Sequence, residues 1–451
     1  MARDLCCRGS CRSIGELRKI ETEPTSEAGK SNWKNAINVV GVFSVLLKIS
    51  LIFQTLGTND VLYWAQFSDF TRNNSIVSIY SDIWYFNHPP LMAVVIWFLG
   101  AVSGESLWLF SALLRMMSVI ADFGSLWLVW ALGSLLLGPI RGVLTAALFA
   151  LSPVMLLVSG VHGNTDPIFM FLVFLAVYVV VFKRAYFLAG LALGLALNIK
   201  IVPLIVLPAF IFCLPSWRAR FRFVLGTLWP LAVGYLLPVY LAGPDLIRNI
   251  FVYKGTSGFW GIGWFFPAWR EALLPILLIA IVSLSWLSSF RPGQPSRSES
   301  GSTLVKAVNL TFLIFMVLSP ASAAQYLTWL AIPMALSGPV IQVGYSLVAG
   351  LYLLSFYAHY LGTGLVPVFF HHLGENTDLA VKYAALQSEF SWTTWDQFLV
   401  LEELPLAPVL WGFLMVLMIL NCSRIVYDLV FKNPESRTYV MSRLGKFLKP
   451  S

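Results

Sequence analysis

Long apolar runs recur from residue 36 to residue 422, broken by short polar clusters. The runs are continuous and lack the strict alternation of a half-buried strand, so they predict helices. Candidate membrane spans fall at 36–56, 112–135, 142–160, 166–182, 224–242, 271–289, 303–318, 327–341, 342–360 and 406–422; about 20 apolar residues suffice for each crossing. The stretch 186–214 is too short for two full spans and carries Lys200 and Pro203 in its middle. It reads as two short helices meeting at Asn198-Ile199-Lys200. Backbone broken at membrane depth is tolerated only where it lines a protein cavity, so Lys200 is expected to face a polar site. The run 89–104 reads as an interfacial helix, because a crossing there would put Lys183 and Arg184 on the wrong side.

Composition agrees with this pattern. The chain of 451 residues is 58% hydrophobic and 12% charged, against about 25% charged in soluble domains. The expected fold is an all-α polytopic membrane protein with about ten to twelve transmembrane helices, re-entrant half-helices and an interfacial external loop. A membrane β-barrel is excluded by the lack of alternation. The net charge of +8 has no soluble domain to carry a nucleic-acid site and reads as cytoplasmic loop charge. Arg141, Lys183, Arg184, Arg218 to Arg222 and Arg291 to Lys306 then lie inside. A cytoplasmic tail is expected at 1–35, the membrane domain at 36–422 and a basic cytoplasmic tail at 423–451. External regions follow at 57–111, 243–270 and 361–405. The middle one holds Arg248, Lys254 and Arg270 against the topological bias, which points to an anionic ligand or to lipid headgroups. All five cysteines fall on the cytoplasmic side, so no disulfide is expected.

Polar residues within or beside spans are functional candidates. They gather toward the outer side: Asp60, Asp69, His88, Arg115, His162, Asn164, Asp166, Arg248, Lys254, Gln325 and Tyr326, with Lys200 below them. Carboxylates, histidines and cations together suit chemistry on a phosphate-bearing substrate. Each also has a plainer reading: Asp166 as the cap of a helix starting at Pro167, Asp60 as the cap of a short helix near Val61, Lys48 as a packing residue. Partial desolvation at the end of an apolar span is expected to raise the Asp60 pKa and suit it to act as a base. There is no P-loop and no CxxC or HExxH pattern. An activated substrate would therefore carry its own leaving group in the membrane.

Several stretches, in order, resemble the GT-C superfamily of integral-membrane glycosyltransferases, which use sugars linked to dolichyl or polyprenyl phosphate. They are NDVLYWAQFSDF, FNHPPLMAVV, LLRMMSVIADFGSL, SGVHGNTDPI, LALNIKIVPLIVLPAF and SPASAAQYLTWLAIP. The family often has a second acid beside the first; here Asp60 is followed by Val61. The resemblance implies inverting transfer of a hexose, mannose or glucose, from a polyprenyl- or dolichyl-phosphate donor to a lipid-linked glycan or other acceptor. Asp60 would be the general base, with Asp69 as runner-up. Lys200, Arg248 and Lys254 would hold the donor phosphate. His88, Arg115, His162, Asn164, Asp166, Gln325 and Tyr326 would contact substrate, and Tyr63, Trp260 and Trp264 offer flat faces. No cofactor is required and no metal ligand is assigned, though a divalent metal is compatible with the scheme. The site would face the lumen in an endoplasmic-reticulum protein or the exterior in a bacterial plasma-membrane one. A transporter or lipid-linked-sugar flippase is the alternative, since such proteins also use broken helices and buried charge.

Overall fold

The computed structural model describes residues 27–251, 262, 266–289, 297–319, 323–360 and 406–432. These are helical, with no strand among them. Among the described residues seven helices are long and apolar enough to cross a bilayer, and five shorter apolar helices accompany them. The expected external region 361–405, the cysteines of the first tail, Lys254, Trp260 and Trp264 lie outside the described residues.

The first helix, α1, runs Glu27–Gln54, and α2 runs Asn59–Asn73. A single turn at Ile79–Asp82 leads to α3, Pro90–Ser103. At 1.5 Å per residue its 14 residues reach about 21 Å, short of the ~30 Å hydrocarbon core. Its length thus suits the interfacial placement read from charge. Helix α4, Leu107–Leu137, packs on α5, Pro139–Ala150, and on α6, Asp166–Tyr178. Between α5 and α6 lie a short helix at Pro153–Leu157 and a π-helical turn at Val158–His162.

The break expected at Lys200 is present. Helix α7 is Tyr186–Ile199, Lys200 is extended, a 3-10 turn covers Val202–Val206, and α8 is Leu207–Cys213. Helix α9, Trp217–Ala242, packs closely along α7. A Cβ on Gly190 would lie 2.1 Å from the Phe223 carbonyl oxygen, and one on Gly226 2.2 Å from that of Phe187. The contact is backbone on backbone, the usual solution where small residues let membrane helices approach.

After α9 come α10, Pro244–Phe251, α11, Arg270–Leu287, and α12, Arg297–Leu318. Helices α13, Thr328–Ser337, α14, Pro339–Tyr360, and α15, Leu406–Val426, follow. The expected boundary between 341 and 342 is therefore wrong by a few residues. The chain breaks at Gly338, which takes a positive φ of +123°, and Pro339 begins the next helix.

Side chains spaced i, i+3 and i+7 on α4 form a polar stripe facing α1 and the π-helical turn. Arg115 is fully buried. Its Nη1 donates to Thr55 Oγ1 (2.6 Å) and the Gly160 carbonyl (3.1 Å). Its Nη2 donates to the carbonyls of Ile52 (3.1 Å) and Thr55 (2.7 Å), and its Nε to that of Ser111 (3.3 Å). The last carbonyls of a helix have no partner within it, and one guanidinium supplies them here at the end of α1. Ser118 Oγ donates to the Asn164 carbonyl at 2.5 Å. One turn further along, Asp122 accepts from Lys48 Nζ at 2.6 Å, with both side chains 2% exposed. Lys48 thus packs inside the bundle, in an ion pair whose members shield each other's charge from the apolar surroundings.

Arg115 was expected to contact substrate. Its burial and its use on backbone carbonyls make it instead the tie between α1, α4 and the turn before α6. The substitution Arg115→Ala should strip several buried carbonyls of their donor, at about 1–3 kcal/mol each. The melting temperature of the purified protein in detergent should fall by many degrees, if the protein accumulates at all. A variant with unchanged melting behaviour would mean that the tie is dispensable.

Candidate active site

Helix α2 begins where α1 ends, after Gly57 (φ +101°). Thr58 Oγ1 donates to the His162 carbonyl at 2.8 Å, which ties the start of α2 to the π-helical turn. Asp60 sits in the first turn of α2, where the helix N-terminus favours a carboxylate. Its Oδ2 meets His162 Nε2 at 3.0 Å and accepts from Asn164 Nδ2 at 3.0 Å. Its side chain is 28% exposed. The cap reading of Asp60 does not hold, because both of these bonds run to a different segment of the chain.

Val61 explains how the two segments come so close. It is 1% exposed. A Cβ on Gly163 would stand 2.4 Å from Val61 Cγ2, and one on Gly57 2.5 Å from the same atom. Gly163 also lies in the left-handed region, at φ +79°. The two glycines make a slot, Val61 fills it, and Asp60 is seated beside His162 and Asn164. A second acid at position 61 would put a charge into that slot without a partner.

The next node is Asp166, fully buried at the start of α6. Its Oδ1 accepts from Lys200 Nζ at 2.7 Å and its Oδ2 from Trp329 Nε1 at 2.9 Å. Asp166 was also read as a helix cap. Its carboxylate is instead committed to Lys200 and Trp329, and Asn164 Oδ1 accepts from the Asp166 backbone N–H at 3.1 Å. Asn164 therefore joins the two carboxylates, its Nδ2 on Asp60 and its Oδ1 on Asp166. Lys200 Nζ lies 4.7 Å from the ring centre of Tyr326 and 5.2 Å from that of Trp329. These two rings stack with centres 3.8 Å apart.

His88 borders the site. Its ring centre is 4.3 Å from that of Trp64, and its Nδ1 is buried with no hydrogen bond among the described residues. Burial, aided by the nearby Lys200 charge, pushes its pKa down to about 3, although Asp60 pulls the other way. The imidazole is therefore neutral across the physiological range and offers one donor and one acceptor. For Asp60 the largest influence is burial, which raises its pKa. The charge and hydrogen bond of His162, the Asn164 amide and the Lys200 charge together outweigh it. The net result is a carboxyl held below its ordinary value, against the expected rise. Its surroundings are polar enough to favour the anion.

Other expected site residues are placed elsewhere. Asp69 follows Asp60 by nine positions, which at about 100° per residue puts it on the opposite face of α2. It is 62% exposed and pairs with Arg72. Arg248 is 56% exposed and pairs with Asp245 across one turn of α10 at 3.1 Å. Gln325 sits in the turn Ala324–Leu327, where its carbonyl accepts from Thr328 Oγ1 at 2.8 Å. Trp329 was not singled out, although it stands in the same motif as Gln325 and Tyr326. Its spacing of three from Tyr326 is the signal that puts both rings on one helical face. Among the described residues no group of three His, Cys, Asp or Glu gathers as a metal site.

The His162 influence on Asp60 can be read directly. In His162→Gln the imidazole that favours the Asp60 anion is lost while an amide remains, so burial weighs more and the Asp60 pKa should rise. The carboxylic-acid band of Asp60, isolated by infrared difference against Asp60→Asn, should titrate at higher pH than in the parent. An unmoved titration would mean that His162 does not set the charge of Asp60.

Residues 87–247 match the model for the dolichyl-phosphate-mannose-protein mannosyltransferase family. That segment includes His88, Arg115, His162, Asn164, Asp166 and Lys200; Asp60 precedes it and Trp329 follows it. No curated protein matches the chain. Among solved structures, ArnT from Cupriavidus metallidurans, crystallised with undecaprenyl phosphate, is similar over 93% of this chain and 82% of its own. With 16% identity and a TM-score of 0.44, that likeness carries no argument about the site. Over residues 87–247, then, the chain is similar to a family of integral-membrane mannosyltransferases that use dolichyl-phosphate-mannose, and the similarity takes in most of the polar network described above.

Proposed function

We propose that the protein is an inverting glycosyltransferase that moves a hexose from a polyprenyl- or dolichyl-phosphate donor to a lipid-linked glycan or other acceptor at the external face of the membrane. One observation carries the reading: the two hydrogen bonds to Asp60 converge on Oδ2. The other oxygen, Oδ1, has no hydrogen bond among the described residues, so a partly exposed carboxylate is held in place with one oxygen uncommitted. A general base needs that arrangement. In the reaction the acceptor hydroxyl oxygen attacks C1 of the sugar as Asp60 takes its proton. The bond from C1 to the phosphate oxygen breaks, and the lipid phosphate leaves with the electron pair. Its growing charge calls for a fixed cation. Lys200 is the candidate within the network, since it spends one of its N–H groups on Asp166 and is 16% exposed.

The lowered Asp60 pKa keeps the carboxylate ionised at neutral pH, at a cost in basicity relative to the raised value expected from the sequence. The proposed sidedness draws support from α10, which belongs to the second external region. Its Asn249 Nδ2 donates to the Tyr80 carbonyl of the first external region at 2.8 Å. The two regions thus form one assembly at one end of the bundle. Mannose and glucose are the sugars favoured here. The membrane is that of the endoplasmic reticulum in a eukaryote, or the plasma membrane in a bacterium.

The test is Asp60→Asn, which keeps the shape and an acceptor oxygen but removes the basicity. Loss of a general base costs about 10² to 10⁴ in rate. Transfer from a panel of labelled polyprenyl-phosphate sugars should slow at least about a hundredfold, with donor binding and melting temperature nearly unchanged. A normal rate would move the base elsewhere. Lipid-sugar crossing a vesicle membrane without any transfer would instead favour a flippase.

No step above needs a metal. Transfer should therefore persist in excess EDTA, and a rate that collapses there and returns with Mg²⁺ or Mn²⁺ would add a divalent ion to the donor site.

A further inference from the structure

We infer that Trp329, from the half of the chain beyond the family match, is a positioning residue that holds the Lys200 ammonium open to the donor phosphate by occupying one oxygen of Asp166. The inference rests on the proposed donor class. Asp166 is fully buried and carries two oxygens that must each find a partner. Lys200 takes Oδ1 at 2.7 Å, and the Trp329 indole N–H takes Oδ2 at 2.9 Å. With Oδ2 occupied, the ammonium engages the carboxylate through one oxygen only and keeps donors for another anion.

Trp329 is itself fixed from three sides. It is fully buried, it stacks on Tyr326 at 3.8 Å, and its ring centre lies 5.5 Å from that of Phe169 one turn along α6 from Asp166. The turn that delivers Tyr326 is held by Tyr345 of α14, whose hydroxyl donates to the Leu327 carbonyl. The indole is thus a rigid donor supplied by α13 to a carboxylate on α6. Without it, the bare Oδ2 of a buried carboxylate would draw Lys200 into a two-oxygen pairing and away from phosphate.

The test compares Trp329→Phe with replacement of Trp329 by 3-benzothienylalanine, which keeps the bicyclic shape and exchanges the N–H for sulfur. Each is made in the parent and in Asp166→Asn. The readouts are melting temperature, binding of a short-chain polyprenyl phosphate, and KM and kcat for its sugar conjugate. In the parent, loss of the N–H should weaken phosphate binding and raise the donor KM about tenfold, the scale of one lost hydrogen bond to a charged group, while kcat changes far less. In Asp166→Asn the same replacement should add little, because residues acting through one group are not additive.

An equal loss in both backgrounds would overturn the inference, as would a benzothienyl variant that binds phosphate like the parent. A lower melting temperature with unchanged donor KM would make Trp329 structural only. If the parent binds no polyprenyl phosphate at all, the proposed donor falls and this inference falls with it. If the parent binds and the variants are unaffected, only the role of Trp329 is lost.

Discussion

A carboxylate with no exposed surface must be paired, and the pairing of Asp166 decides much of the arrangement around it. Its partners arrive from three places in the chain: Lys200 at the end of α7, Trp329 on α13, and Asn164 on its backbone N–H. Each contact restrains a different element against α6. The break after α7 is part of the same constraint. A continuous helix through Lys200 would carry the side chain on around the helical surface, whereas the extended residue directs it at Asp166.

A second set of polar ties holds the turn that carries His162 and Asn164. Gly160 and Asn164 offer their carbonyls to Arg115 and Ser118, and Thr58 binds the His162 carbonyl from the other side. The turn is π-helical and then left-handed at Gly163, so it leaves backbone groups outside a regular ladder. In an apolar setting each such group needs a partner. The stripe on α4 supplies partners, which is why a buried arginine that looks like a ligand-binding residue serves the backbone instead. The result is a stiff support for Asp60, whose partners on Oδ2 among the described residues come from this turn.

Several features were legible before any coordinates. The helix break at 198–200 followed from two basic clusters that demand an even number of crossings between them. The same parity asked for a helix at 89–104 that does not cross, which the shortness of α3 suits, and the grouping of Asp60, His162, Asn164, Asp166 and Lys200 followed from polar residues set in apolar sequence. Other features were not. Asp60 and Asp69 look alike in sequence and differ by half a rotation of α2. Arg115 and Lys200 are both cations in spans, and only their neighbours distinguish a tie for carbonyls from a cation left partly free. Arg248 satisfies the pattern of a misplaced external cation but finds Asp245 within its own helix.

The sequence by itself determined that the chain is a bundle of membrane helices, because apolar runs of this length bury nowhere else and, without the alternation of barrel strands, lipid leaves the backbone only helical options. It also determined where charge had to be explained, since each ionisable residue in such a run needs a partner. The identity of the partners was decided by tertiary structure. Trp329 meets Asp166 across 163 positions, and the sign of the Asp60 shift depends on His162, 102 positions away. Hydrogen bonds and charge interactions fall off within a few ångströms, so no local pattern encodes which distant groups will stand that close; only the packing of the helices brings them together.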